Sequence, residues 1–123
     1  MKLSPSQIDV ESLAQFGREA IALVEKRNFT VLAERFGYAL AYERDQAKAI
    51  ESDFSQCIGE AEGPSSVTTQ SIQVKYFKPN NIPLFALVEC VTPVGNDAAV
   101  LIDLIVLGKD EKHIGLEQIS YVP

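Results

Sequence analysis

Two long apolar runs, Pro83 to Val94 and Asp97 to Gly108, are separated only by Gly95-Asn96, and no other feature restricts the fold of this chain as strongly. β-Branched runs on either side of a two-residue Gly-Asn turn predict a long β-hairpin with a II′-type turn. Each run is apolar on both of its alternating sides except for one carboxylate, Glu89 in LFALVECV and Asp103 in AVLIDLIV. A strand without polar alternation is one covered on both faces. The hairpin is therefore expected at the centre of the fold, with something packed against each side.

Strand parity gives the two carboxylates their expected places. If Val94 pairs with Asp97 across the turn, partner numbers sum to a constant, so that Asp103 faces Val88 and Glu89 faces Ile102. The carboxylates then lie on opposite faces of the sheet. Pairing Lys78 with Pro83 in the same way gathers Ile72, Val74, Tyr76, Phe85, Leu87, Glu89, Ile102 and Leu104 on one apolar face, the side expected to meet helices. Asp103 falls on the other face with Leu101, Ile105, Ala86 and Cys90.

The residues before the hairpin supply those helices. Ser4 can cap, Pro5 suits a first helical position and Gln7 can close a capping box, so a helix is expected to start there. Val10, Leu13, Phe16, Gly17, Ala20, Leu23 and Val24 continue it at three- and four-residue intervals, the spacing of one buried helical face. Asn28 caps a second, short helix through Phe29, Leu32, Ala33 and Phe36, which Gly37 ends. Tyr38 to Tyr42 is either a short strand or the start of the next helix, and the glycine before it and Asp45 as an N-cap after it favour the strand. A third helix runs from Asp45 through Ile50, Phe54 and Ile58 to Gly59, and Glu60 to Pro64 form a polar exit loop. Beyond it the period changes to two at Ile72, Val74 and Tyr76, and a last strand is expected from about His113 to Val122. Helices followed by an antiparallel meander predict an α+β fold, three helices on one side of a curved sheet.

Composition bounds the function. A length of 123 residues is that of a single domain, 1–123, able to build a core without staples. No apolar run approaches the roughly 20 residues that span a bilayer, so no membrane association is expected. The segment MKLSPSQIDVES lacks the apolar centre of a secretory signal, which suggests a cytoplasmic location. Cys57 and Cys90 show no metal-ligand spacing and are expected to be two separate buried thiols; no cofactor or metal is expected. The net charge of −6 and pI near 4.7 argue against a nucleic-acid binder and suit a basic protein partner.

With its order of elements, a long first helix ending in EKRNFTVLAERFGYALAY and then DQAKAIESDFSQCI before long strands, the chain resembles a nuclear transport factor two-like domain. That is the cone-shaped, cystatin-like roll shared with ketosteroid isomerase and scytalone dehydratase, and the resemblance covers nearly the whole chain. It implies a pocket between the helices and the concave sheet face, and dimerisation through the other face. Known enzymes of the family place an aspartate or a histidine–aspartate pair in the pocket. Here YALAY carries no aspartate and the lone histidine, His113, sits near a turn. The family also includes bacterial immunity proteins that neutralise toxins, to which this acidic chain is similar.

The candidate residues follow from these readings. A Glu89 buried in apolar surroundings would hold a proton at neutral pH or act as a general base, with Tyr38, Tyr42 and Tyr76 lining a ligand pocket around it. Alternatively Glu89 pairs with Arg18, Arg44 or a tyrosine hydroxyl, or a β-bulge turns it outward. Asp103 is expected at a partner or dimer interface with Val88, Leu101, Ile105 and Leu107, met by a counter-charge such as Lys75. Glu60 and Glu62, with Glu51 and Asp53, form an acidic patch that is either a solvated face or a docking site for a basic partner. His113 would need a partner such as Glu117 to act as a base. The expected function is a non-enzymatic binding protein that engages a protein partner through an acidic surface or sheet face, with an immunity protein against a basic toxin as its sharpest form. A homodimer is also expected. The alternatives are a pocket isomerase or dehydratase with Glu89 as base, and a domain that binds a small apolar ligand.

Overall fold

The computed structural model describes residues 1–59, 65–79, 81–95 and 98–122. Strand β1 spans Lys2–Leu3, and helices α1, α2 and α3 span Val10–Glu25, Phe29–Phe36 and Gln46–Gly59. Strands β2 to β5 span Ser71–Tyr76, Leu84–Val94, Ala98–Leu107 and Lys112–Val122. The five strands form one antiparallel, curled sheet in the order β1-β5-β4-β3-β2, with the helices packed on one face. The α+β class read from the sequence is the one observed. Among the described residues, no helix is long and apolar enough to cross a membrane.

The helices begin and end where short polar side chains and glycine allow it. Asp9 caps α1, its carboxylate accepting from the Ser12 N–H at 3.2 Å. Asn28 caps α2 by accepting from Val31 at 3.3 Å, and Gly37 closes that helix at a φ of 67°. Asp45 accepts from the Lys48 N–H at 3.0 Å and starts α3. The bidentate pair of Arg35 on Glu19, at 2.8 and 3.0 Å, ties α2 to α1.

Two local expectations are corrected. The first helix does not start at Ser4: Pro5–Gln7 is a separate 3-10 turn, in which Ser4 N–H donates to Gln7 Oε1 at 2.9 Å, and α1 begins anew after Asp9. Tyr38 to Tyr42 is not a strand but a 3-10 turn, Ala39–Ala41, entered through extended Tyr38 and left through Tyr42 at a φ of 55°. In addition, Lys2 and Leu3 pair with His113 and Lys112, which adds an edge strand that periodicity could not show.

The central hairpin forms, shifted by one residue. Val94 pairs with Ala98, not Asp97, so partner numbers sum to a different constant and Glu89 stands directly opposite Asp103. Of the connecting residues, Asn96 and Asp97 lie outside the described ones, so the II′ turn is not assigned. Between β2 and β3 the register also differs by one: Ser71 pairs with Val91, Val74 with Val88 and Tyr76 with Ala86. As a result β2 and β4 present the expected residues to the helices, while β3 is turned over. Ala86, Val88 and Cys90 are buried on the inner face, and Leu87 and Glu89 face outward. Phe85, beside a bulge, keeps contact with the core.

Gly17 accounts for this choice of face. A Cβ built on it would lie 2.9 Å from Cys90 Sγ, 3.1 Å from Val88 and 3.2 Å from Ile72, so side chains of β2 and β3 pack directly against the bare backbone of α1. The inner face of β3 must therefore carry small or branched side chains. The space between helices and sheet is filled: Val88, Cys90, Val100, Ile102, Leu104 and Val106 are all fully buried against Leu13, Ile21, Leu32 and Ile50. Gly17→Val should overpack this contact and destabilise the fold by about 2 kcal/mol, measured as a lower urea midpoint at unchanged slope. A midpoint equal to that of wild type would show that α1 lies farther from the sheet than described.

Candidate functional site

The register just described builds a polar row across the outer face of the sheet. Gln73 pairs with Glu89, Glu89 with Asp103, and Asp103 with Gln118, so four side chains on β2, β3, β4 and β5 stand side by side. Each neighbouring row is apolar at its centre, Val91 and Leu101 between Ser71 and Ser120 on one side, and Leu87 and Ile105 between Lys75 and Gly115 on the other. The four apolar side chains are half-buried although the helices pack on the opposite face, and Leu107 farther along is 41% exposed.

Within the row the charges are unevenly satisfied. Lys75 Nζ lies 2.5 Å from Glu89 Oε1. Gln118 Nε2 donates to Asp103 Oδ2 at 2.8 Å, while Asp103 Oδ1 has no hydrogen-bonding partner among the described residues. Asp103 is only 6% exposed. Burial pushes its carboxyl above the usual aspartate range; the Gln118 hydrogen bond opposes this, the Glu89 charge reinforces it and the Lys75 charge again opposes it. A buried carboxylate with an unpaired oxygen and a second carboxylate across the strand pair is a costly feature for a stable fold.

Several predicted site residues are placed elsewhere. Glu89 is on the outer face and not in a pocket with the tyrosines, because β3 is turned over relative to the expected register. It pairs with Lys75, whereas Arg18 pairs with Glu11 and Arg44 with Asp53. Val88 faces the helices and is fully buried, so it is not part of an outer interface, and Ala86 and Cys90 go with it. Leu101, Ile105 and Asp103 do share the outer face, as expected. Glu60 and Glu62 lie outside the described residues. His113 is exposed and its ring lies 3.4 Å from Glu111, not beside Glu117, which a bulge in β5 leaves out of the pairing.

The tyrosines do not converge. Tyr42 is 83% exposed, and the Tyr76 hydroxyl donates to the Ile8 carbonyl at 2.7 Å. Tyr38 is buried and donates to Asp53 Oδ2 at 2.5 Å, while Arg44 reaches the same carboxylate at 3.2 and 3.3 Å. Burial alone would push the Asp53 carboxyl up, but the hydrogen bonds from Arg44 and Tyr38 and the Arg44 charge hold it below its ordinary value. This triad borders a cleft of about 380 Å3 between the Tyr38–Tyr42 segment, α3 and β5. Every one of its polar groups is matched, and its evident work is to fasten the 3-10 turn to α3. Both thiols are buried, and burial pushes Cys90 up to about 12, which leaves it unreactive. Among the described residues, no group of three or more His, Cys, Asp and Glu side chains could hold a metal ion.

The missing readings were Gln73, Gln118 and the Lys75–Glu89 pair, and the signal that locates them is the register alone. Two outcomes test the geometry. Asp103→Asn keeps an acceptor for Gln118 and turns a donor toward Glu89, so it should raise stability by about 1 kcal/mol at pH 7. A carboxyl raised in the folded chain opposes folding only above its unfolded value. The gain should therefore shrink as the pH falls to about 4 and the wild-type carboxyl takes its proton; urea denaturation at both pH values measures it, and an equal gain at both would contradict it. Tyr38→Phe should cost about 1 kcal/mol and let the Asp53 pKa move up toward its ordinary value, read by NMR titration of the carboxyl carbon. Comparison with family models, curated proteins and solved structures finds no match to this chain, so the function is argued from its own geometry.

Proposed function

We propose that the chain is a non-enzymatic binding protein that engages a protein partner through the outer face of its sheet. The observation that carries this reading is Asp103: a buried carboxylate with an unpaired oxygen, set among half-buried apolar side chains on the face opposite the helices of the described residues. Such a face is stabilised by docking, since a partner removes the remaining apolar surface from water and supplies the missing donor. With β4 at 10 residues, β3 and β5 at 11 and β2 at 6, a rise of about 3.4 Å per residue and strands about 4.8 Å apart offer an area on the order of 600 Å2. Stable complexes bury roughly 800 Å2 per partner.

The reading of a pocket enzyme with Glu89 as base lacks the arrangement it requires. Glu89 is on the outer face, the inner face is filled and Tyr42 points into solvent. The same holds for a small apolar ligand held between α1 and the middle of the sheet, where the core is filled. The resemblance to nuclear transport factor two-like domains belongs to the present proposal, and within it an immunity-type inhibitor of a basic toxin is the sharpest version. Its support is the net charge of −6 together with the acidic row on the docking face.

The test uses the purified chain as bait. A partner captured from source cells by wild type should also be captured by the control Glu11→Gln, on helix α1, and lost with Leu101→Lys or Ile105→Lys. Capture that survives both outer-face changes would remove the sheet face as the docking surface. Sedimentation of the purified chain adds a second reading, since a dimer abolished by Ile105→Lys would make the partner a second copy of the chain.

A further inference from the structure

The outer face carries information about what docks on it. We propose that the partner is a protein that inserts an arginine between Glu89 and Asp103 and lays apolar side chains over the rows on either side, an inference that rests on the sheet face being the docking surface.

The directions from which Asp103 Oδ1 can be served are few. Along β4, its neighbours on the same face are Leu101 and Ile105, which have no donors. Toward β3 stands Glu89, an acceptor, and toward β5 stands Gln118, whose amide already serves Oδ2. Lys75, two strands away on β2, is held by Glu89. The sheet closes the site from beneath and the flanking side chains cover it from above, leaving Asp103 only 6% exposed and Oδ1 out of contact with solvent, so an outside donor reaches Oδ1 once Lys75 and the flanking side chains move aside.

Two carboxylates at directly paired positions have Cβ atoms about 4.5–5.5 Å apart. A guanidinium, planar and with five N–H donors, can reach both at once, whereas an ammonium is a single point charge that holds its water more strongly. Lys75 already supplies Glu89 with an ammonium, yet leaves Oδ1 unserved. When an arginine enters, the flexible Lys75 swings into solvent at little cost, because exposed ion pairs contribute little.

The surroundings suit a central anchor. Leu87, Val91, Leu101 and Ile105 flank the carboxylates and, once covered, exclude water from the charged contact, the arrangement in which a single arginine dominates an interface. A second copy of this chain is a poor occupant. Two-fold packing of the face on itself would bring the two Glu89–Asp103 pairs together with only Lys75 from each copy against them. Nucleic acid would meet the same carboxylates with its phosphates.

A capped leucine–arginine–leucine tripeptide serves as probe, titrated at low salt into isotopically labelled full-length chain. Expected are saturable shifts at the Leu101 and Ile105 methyl groups and the Gln118 side-chain amide. The lysine analogue should bind roughly tenfold more weakly, and Asp103→Asn should reduce binding of the arginine peptide by a similar factor. Glu89→Gln is the second variant, expected to weaken binding in the same way, and the amide spectrum of each variant verifies its fold. Equal binding of both peptides, no shifts at these three residues, or unchanged binding by both variants would overturn the arginine anchor. If that happens while Leu101→Lys still abolishes partner capture, the docking face stands and only its arginine is lost. If capture is also unaffected, the face itself falls.

Discussion

The pairing of β3 with β4 is the constraint on which the rest of the structure depends. Because side chains alternate, one register puts Val88 and Cys90 under α1 and Glu89 outside, and a slip of one residue would reverse this. The slipped arrangement would place Glu89 and Leu87 against Gly17, where even a Cβ finds Cys90 Sγ at 2.9 Å. It would bury a carboxylate in a filled core and expel small residues from the one place that needs them. The close approach of α1 and the register of the hairpin therefore select each other. At the other end of the hairpin, Gly108 is held at a φ of 122°, where a side chain would meet the Glu111 carbonyl, so the exit from β4 is fixed as well.

That same register has an electrostatic consequence. Having turned Glu89 outward, it sets it directly against Asp103, and the two carboxylates cannot both be well solvated. The fold answers with Lys75 from one side and Gln118 from the other, and the answer is incomplete by one oxygen. A domain of this size is stable by only about 5–15 kcal/mol, so an imperfection of about 1 kcal/mol at the middle of its largest sheet is tolerable but not free. An asparagine at 103 would complete the row. The presence of an aspartate instead is the physical basis of the proposal that the row serves binding.

Much of the fold was legible in the sequence because it rests on local chemistry. Apolar spacing from Leu13 to Val24, the Asn28 and Asp45 caps, the change of period at Ile72 and the two apolar runs each have a cause within a few residues. The remainder depends on contacts distant in sequence. Lys2 and Leu3 become a strand only because β5 offers a free edge. Tyr38 to Tyr42 alternates like a strand, yet its turn is fixed by Tyr38 and Arg44 both binding Asp53, a residue on the next helix. Ser4, Pro5 and Gln7 do carry a helix-start signal, but the chain stops after one 3-10 turn because Asp9 offers α1 a better cap. For the candidate site, the identity of the odd carboxylates was evident and their mutual position was not. A hairpin connection of two or three residues has nearly the same sequence signal and opposite consequences for every side chain after it.

Two polar clusters in this molecule invite a functional reading, and the contrast between them decides which one receives it. Around Asp53, each carboxylate oxygen is bonded, one by Tyr38 and both by Arg44, and the group sits below its ordinary pKa, as a carboxylate does when its surroundings favour its charge. Such a cluster is finished within the chain and gains nothing from a ligand. Around Asp103, the pKa is displaced the other way, one oxygen is unbonded, and the flanking apolar side chains are half-buried on the face away from the helices. Within the chain, Asp103 can approach the state of the Asp53 cluster only by taking a proton; the proposed partner would do so by supplying a donor. Satisfaction of the buried charge, more than the presence of a cleft, therefore separates the structural fastening at Asp53 from the row on which the proposed docking rests.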